Sequence, residues 1–529
     1  MAEISTLNGY KIKDKKAIRY YNTVADMIAD TTLKSGMHVK TSGYYAINDG
    51  GNAEYKIVSN EDISNNDFKE DLSNELKAKL IIKDNKINVK QLGAKDDGTT
   101  DNTNIFQEIL DKRVELYVPK GNYLLSSSLK LYINSTIIGQ SQTTTIITCE
   151  SNFNDRTGNE EIDHITIKNL RIIGNDQIDG LDLSGTTQSP YTGGRYSIIE
   201  NVTFNNFNIA AILKGVWCTN FINCRFNNNI IGVKQMGTCN NIVYDKCKFY
   251  GQDTYFTDSN IGLRISSDQG SENYNITLNQ CDFEKLNNAI YAYNMVDLAL
   301  NSLYVEKIKN TLIATNVIVG KIYGGIFNNI NRLIYASATG SNFLINSSFD
   351  VKDISIINNT EDNLDLISTG TLKCTYENVF LHNKGNGILY VGKFDRDNNK
   401  YTSNCRKGSI ISDQVNIRYS TDGYFTEKIF KKDFEKLKLV YPKLVFKSAV
   451  TLSSSASIIL YVNNVAVCRF NINAGTYAVD DVINASYENT DGVLFDNLSE
   501  LRFRASTGTS IDCNAVIETD LAIGEMTKV

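Results

Sequence analysis

The chain has 529 residues, a formal net charge of −6 and a pI near 5.4. Length alone allows about three domains, and the acidic balance gives no reason to expect nucleic acid as a partner. No stretch approaches the roughly 18 uninterrupted apolar residues of a membrane helix, and the opening MAEISTLNGYKIKDKK lacks a leader's apolar core, so synthesis in a cytoplasm without membrane insertion is expected.

Only 3 prolines occur, and Asn, Ile, Ser, Thr, Tyr and Gly are abundant, a mixture that favours strands joined by short polar turns. The 10 cysteines include no CxxC pair and read as free, buried thiols rather than a disulfide framework.

Residues 1–86 come first and form a small N-terminal module: a turn-rich β segment, GMHVKTSGYYAINDGGNAEYKI, then an acidic, Asn- and Lys-rich stretch. Next stands Gly93-Ala94-Lys95-Asp96-Asp97-Gly98-Thr99-Thr100-Asp101-Asn102-Thr103, a turn running into a short helix near 101–113. Asp101 is expected as its N-cap, with Ile105, Phe106, Ile109 and Leu110 on the face that closes the open end of the strands beyond.

Past this helix the chain becomes periodic. Aligning short strands of the form polar, apolar, polar, aromatic gives markers at Phe204, Phe226, Phe249, Phe283, Val305, Phe327 and Phe349, with steps of 22, 23, 34, 22, 22 and 22 residues. A period near 22 with about three strands per unit suits one coil of a parallel β-helix, in which each coil buries its apolar face only against its neighbours. Five residues before the markers stand Ile199, Phe221, Tyr244, Leu278, Leu300, Ile322 and Leu344, all expected to point inward. Val202, Cys224, Cys247, Cys281 and Leu303, two before, form a second inward column that absorbs three cysteines. Ala211, Val233, Leu263, Ile290, Leu312 and Ile334 form a third, seven after, once an insertion before Leu263 is allowed.

Tyr424 to Tyr441 spaces Phe425, Ile429, Phe434 and Leu437 as a helix would. Beyond it LVFKSAV, SIILYVNNVAVCRFNI and LRFRAS alternate like antiparallel strands, which suggests a terminal β-sandwich. The fold class is all-β: a right-handed parallel β-helix over 87–420, a small N-terminal module before it, and a helix plus C-terminal β-sandwich-like domain over 421–529, serving trimerisation or glycan binding.

The segment from Gly93 to Thr103, with Gln107, resembles the G-A-x-x-D-G-x-T-D-[DN]-T-x-x-x-Q opening of the pectate-lyase-like β-helix superfamily. Val118-Pro119-Lys120-Gly121-Asn122-Tyr123 is similar to that family's next element, and Gly43 to Tyr55 is similar to a segment ahead of the β-helix in tail spikes and preneck appendages of phages that infect Gram-positive bacteria. The resemblance spans residues 40 to about 350. It implies a homotrimer in the virion, attached through the N-terminal module to phage tail or neck proteins, whose β-helix binds or cleaves a bacterial surface glycan, capsular or teichoic. The carboxylates of the opening motif are structural in this reading.

Insertions in a solenoid fall on one face, often the binding face. The long step from Phe249 to Phe283 places Asp253 and Asp258 in one inserted loop and Asp268 in another. Strand alternation turns Arg225, Lys248, Asp282 and Tyr304 outward one residue before the marker, Asn227, Tyr250, Glu284 and Glu306 one after, and Lys234, Arg264, Tyr291 and Tyr335 eight after. Aromatics, cations and carboxylates in this mixture suit a sugar polymer. Glycoside hydrolysis uses two carboxyl groups about 5 to 9.5 Å apart, whereas Asp282 and Glu284 are about 6.6 Å apart along a strand and Glu284 and Glu306 about 4.8 Å apart across coils. The candidate catalytic residues are therefore Asp282, Glu284 and Glu306. The candidate substrate-binding residues are Arg225, Lys248, Tyr250, Asp253, Asp258, Arg264, Asp268, Tyr291 and Tyr304.

A charge ladder pairing Lys285 and Lys307 with the glutamates is the competing reading, and a lyase would draw on Asp176, Asp179 and Asp182 beside Lys248. No cofactor or metal is expected, because His38, His164 and His382 stand far apart without an HxH or HExxH pattern. A non-enzymatic receptor-binding or structural spike is the alternative to a depolymerase.

Overall fold

Short parallel strands, each hydrogen-bonded to a strand one coil away, dominate the computed structural model. It describes residues 18–156, 161–186, 193–251, 260–266, 273–336 and 348–358, with shorter stretches of strand on either side. Two compact units divide the chain, Met1–Lys248 and Phe249–Val529.

The first unit opens with a five-stranded sheet in the order Ile18–Tyr21, His38–Thr41, Ala53–Val58, Lys77–Leu80, Lys69–Asp71. Thr23 and Asp26 form a reciprocal cap on the helix Val24–Ala29. The two segments that carry the family resemblance touch here. Asp49 accepts hydrogen bonds from the backbone N–H groups of Tyr44, Tyr45, Ala46 and Gly51, and Tyr45 Oη donates to Gly93 O at 2.9 Å. Gly93 has φ +83°, and a Cβ there would lie 2.8 Å from the Tyr44 ring, so only glycine fits the joint.

The capping helix runs Thr103–Asp111 and buries Phe106, Ile109 and Leu110. Its N-cap is Asn102, one residue later than expected. Asp101 still serves the helix end: its carboxylate accepts from Thr103 N at 3.0 Å, Thr103 Oγ1 at 2.6 Å, Ser126 N at 3.1 Å and Ser126 Oγ at 2.6 Å. Asp101 thereby ties the helix to the strand Gly121–Leu125, whose Leu124 aligns with it in register.

Beyond the helix, Glu115–Val118 and Gly121–Leu125 pair in parallel with Thr136–Gly139 and Thr145–Cys149. Both of these join Thr166–Ile173, which pairs with Ile198–Asn205. Ile198–Asn205 then meets Trp217–Ile222 and Arg225–Asn227. The register aligns Ile172, Phe204 and Phe226, so the periodic pattern begins one coil before the first marker. Rings stack coil on coil, Phe204 on Phe226 at 5.4 Å and Phe221 on Tyr244 at 5.3 Å between centroids. Each such pair adds about 0.5–1.5 kcal/mol to ordinary burial.

In the second unit Asp282–Glu284 pairs with residues 304–306, Ile261–Ser266 with residues around Ile290, and Tyr274–Asn279 with residues around Leu300, all in parallel. Phe249 stacks on Phe283 at 4.6 Å. All three inward columns are buried throughout the described residues. Cys149, Cys224, Cys239, Cys247 and Cys281 are buried and form no disulfide, and burial pushes the Cys149 and Cys239 thiols up to about 12.

Two further expectations need correction. Phe327 aligns with Ile356, not Phe349, and Phe349 lies beside Gly320. The true step is 29 residues, the corrected inward positions are Val351 and Ile354, both buried, and Leu344 lies outside the described residues. A Phe at the 22-residue spacing imitated the marker. The helix expected over 424–441 is the second correction, because Phe425–Glu427 and Leu437–Phe446 are strands; the segment between them is outside the described residues. Leu437, Leu439 and Leu444 with β-branched Val440 and Val445 fit a pleated surface better than a helical stripe. Leu437–Phe446 pairs antiparallel with Ala515–Gly524, and Ala456–Val462 pairs antiparallel with Val465–Ile472 and Leu501–Ser506.

The coil corners use left-handed backbone. Three residues before the marker, Asn169, Asn201, Asn223 and Lys246 in the first unit, and Gln280, Ser302, Gly324 and Asp353 in the second, all have positive φ. Asn tolerates this conformation better than most residues. Asn201 Nδ2 also donates to Asn169 Oδ1 at 3.0 Å, and Asn223 Nδ2 to Asn201 Oδ1 at 2.6 Å.

Phe226→Ala, which removes a ring stacked against Phe204 and tilted against Phe221, should cost about 3–5 kcal/mol, read as a lowered midpoint in denaturant unfolding. A second expectation concerns acid. Burial alone would raise the Asp101 carboxyl, but the bonds from Ser126 and Thr103 outweigh it and hold it at about 2. Its contribution to stability is present above the ordinary carboxylate range and disappears as pH falls from about 4 toward 2. Thermal melts across this range should show a loss that is blunted in Asp101→Asn.

Candidate functional site

The carboxylate strand lies in the second unit, where Asp282 pairs with Tyr304, Phe283 with Val305 and Glu284 with Glu306. Phe283 and Val305 are fully buried, so alternation turns Asp282, Glu284, Tyr304 and Glu306 outward. Adjacent coils hold Glu284 and Glu306 about 4.8 Å apart, and two residues of rise separate Asp282 from Glu284 by about 6.6 Å. One coil on, Ile326 and Asn328 occupy the same two columns, with Ile326 exposed.

Tyr304 lies partly exposed between these acids, and its Oη donates to Glu306 Oε2 at 2.8 Å. That bond, then partial burial, raises the Tyr304 phenol above its ordinary value. Lys307 Nζ lies 3.6 Å from Glu306 Oε1, while Lys285 Nζ sits 4.9 Å from the centroid of the Tyr250 ring. The ion pair at Glu306 thus runs to its own chain neighbour rather than across the coils as the expected ladder would. Glu306 is therefore oriented by two groups, a phenol and an ammonium.

Arg264 and Tyr291 pair on the next strand of the coil, past the left-handed corner at Lys285. The guanidinium carbon lies 5.8 Å from the centroid of the Tyr291 ring. Cations over an aromatic face at this distance attract it weakly, and Arg264 Nε is buried without a hydrogen-bond partner. Asp253, Asp258 and Asp268 lie outside the described residues, as does the side chain of Tyr335.

Arg225 and Lys248 belong to the first unit, in adjacent coils, where Lys248 N donates to Cys224 O at 2.8 Å. The structure extends their column backwards through Thr203 to Arg171, since Arg171 pairs with Thr203 and Thr203 with Arg225. Arg171 was missed because a longer step and an Ile in place of Phe hid its coil. The signal was nevertheless present, as Asn169-Leu170-Arg171-Ile172 has the same polar and apolar order as Asn201-Val202-Thr203-Phe204. Two of the three aspartates weighed for a lyase are engaged elsewhere: Asp179 Oδ1 accepts from Asn208 Nδ2 at 2.9 Å and Ile209 N at 3.1 Å, and Asp182 Oδ1 from Ser184 N at 2.7 Å.

Coils in this register, bearing polar outer columns, define a class, and the sequence comparison agrees. Residues 86–313, under half of the chain, match the family model described as rhamnogalacturonase A/epimerase, pectate lyase-like. Among individual proteins, it is 25% identical over 277 residues to the tail spike protein of Shigella phage Sf6, a match covering 48% of this chain and 43% of that protein. It is 29% identical over 109 residues to the preneck appendage protein of Bacillus phage PZA, covering 19% and 12% respectively. The chain thus spans less than half the length of these relatives. The solved tailspike of Acinetobacter baumannii phage AM24 is similar with a TM-score of 0.49 at 10% identity, over 95% of this chain and 93% of that one.

Proposed function

We propose that this chain is a phage tail spike or appendage that binds a host surface polysaccharide and depolymerises it by glycoside hydrolysis during adsorption. The observation that carries the reading is the pair of outer columns holding Asp282, Glu284, Tyr304 and Glu306 on adjacent coils. Likeness to a tail spike protein and a preneck appendage protein supports the virion role.

On this reading Glu284 and Glu306 flank the scissile bond. One gives a proton to the leaving oxygen while the other attacks the sugar or activates water. Tyr304 holds Glu306 in position through its hydroxyl and offers a ring face to a sugar, and Asp282 adds a third acid beside it. Arg264 and Tyr291 extend the glycan contact onto the neighbouring strand. The N-terminal module joins the virion, and three copies associate about an axis.

The test is incubation of the purified chain with capsule and wall polysaccharide prepared from the host strain, followed by size analysis and a reducing-end assay. Shortened polymer with new reducing ends is expected. Glu284→Gln and Glu306→Gln should lower turnover by on the order of 10²–10⁴-fold while co-sedimentation with polymer persists. Undiminished cleavage by both variants would remove the chemistry from these columns, and intact polymer that co-sediments with the unaltered chain would leave a receptor-binding spike without enzymatic action. Light scattering should give the mass of three 59.1 kDa chains; the mass of a single chain would overturn the trimer.

A further inference from the structure

The first unit carries an outer column of different character. Arg171, Thr203 and Arg225 occupy the same position on successive coils, one residue before Ile172, Phe204 and Phe226, and Lys248 precedes Phe249 in the same way. Successive coils are about 4.8 Å apart. Thr203 is small and 2% exposed, so the two guanidinium groups stand on either side of a low point, and Arg225 is exposed.

The two arginines lack counter-charge. Among the described residues neither the Arg171 nor the Arg225 side chain makes an ion pair or hydrogen bond, and Arg171 Nε is buried without a partner. The parallel column two residues on holds Ile173, Asn205 and Asn227, with no carboxylate. Acids on the flanking strand are already committed: Glu200 to Lys168 at 2.8 Å, and Asp245 to Lys246 at 3.9 Å. A chain of net charge −6 thus keeps two uncompensated guanidinium groups in one line along its coils, with a lysine continuing the line. Guanidinium groups match carboxylate and phosphate oxygens in geometry, and a line favours an extended ligand over a compact one.

We infer that the Arg171–Arg225–Lys248 column is a binding subsite for an acidic polysaccharide, one whose repeat carries carboxylate or phosphate. This rests on the glycan reading above and names the substrate class. A single-stranded nucleic acid fits less well, because such sites interleave aromatic platforms with their cations, whereas Thr203 separates the two arginines and Ile173, Asn205 and Asn227 flank them without a ring.

The experiment measures binding of the full-length chain to polygalacturonate, to poly(glycerol phosphate) teichoic acid, to neutral dextran and to a single-stranded oligonucleotide, at low and high salt. At least one acidic polymer should bind about tenfold or more tighter than dextran, with affinity falling steeply as salt rises. Preference for polygalacturonate marks the carboxylate source, and preference for the teichoic acid marks the phosphate. Arg225→Gln, an exposed change that leaves the core intact, should weaken that binding severalfold. The triple change Arg171→Gln, Arg225→Gln, Lys248→Gln should weaken it more than about tenfold and flatten the salt dependence. Unchanged binding in both variants, acidic polymers bound no better than dextran, or preference for the oligonucleotide would each overturn the proposal. Cleavage of a neutral host polymer would overturn it as well while leaving the depolymerase reading intact, so the two fail separately.

Discussion

A strand of the β-helix has nowhere to place its backbone hydrogen bonds except on the coils before and after it. That requirement forces neighbouring coils into register, residue against residue. Arg171 aligns with Thr203 and Thr203 with Arg225 because the peptide groups beside them must pair. Columns inside the coil then become stacks of like shape, such as Phe204 on Phe226 or Phe249 on Phe283. Columns outside become lines of side chains at a constant spacing, free to vary in chemistry.

This division explains what was legible in the sequence. Burial repeats at every coil, so apolar residues recur and the 22-residue spacing could be read from Phe204 to Phe327 without structural help. The buried cysteines fell into place at once, since Cys224, Cys247 and Cys281 each stand two residues before a marker and each is buried. The reading failed where the spacing changed. A step of 32 residues hid the coil at Ile172, and a step of 29 let Phe349 stand in for Ile356. The outer residues carry no comparable periodic signal, because solvent imposes no common chemistry on them. Asp282, Glu284 and Glu306 could be placed on one face by alternation, but the bond from Tyr304 to Glu306 required coordinates.

The asparagine content had a meaning that composition alone did not reveal. Taken as a general sign of turns, it is in fact positional: Asn169, Asn201 and Asn223 sit at one corner with positive φ, and Asn206 and Asn228 at another. A search for Asn three residues before each apolar marker would have exposed the missing coil. The helix expected after Tyr424 failed for a different reason. Residues four and five apart were apolar there, yet Leu437, Leu439 and Leu444 alternate with polar or β-branched neighbours, and pairing with Ala515–Gly524 suits the strand.

The left-handed corners have a consequence for how such a protein can change over time. Residues added at a corner leave the phase of the flanking strands untouched, and past the longer steps Leu263 and Val351 still face inward, both buried. One residue added within a strand would instead exchange its inner and outer faces. Variation is thereby channelled into the corners, where new loops can form without disturbing the stacked interior. A lineage built on this plan can alter its outward chemistry coil by coil while inheriting its core unchanged.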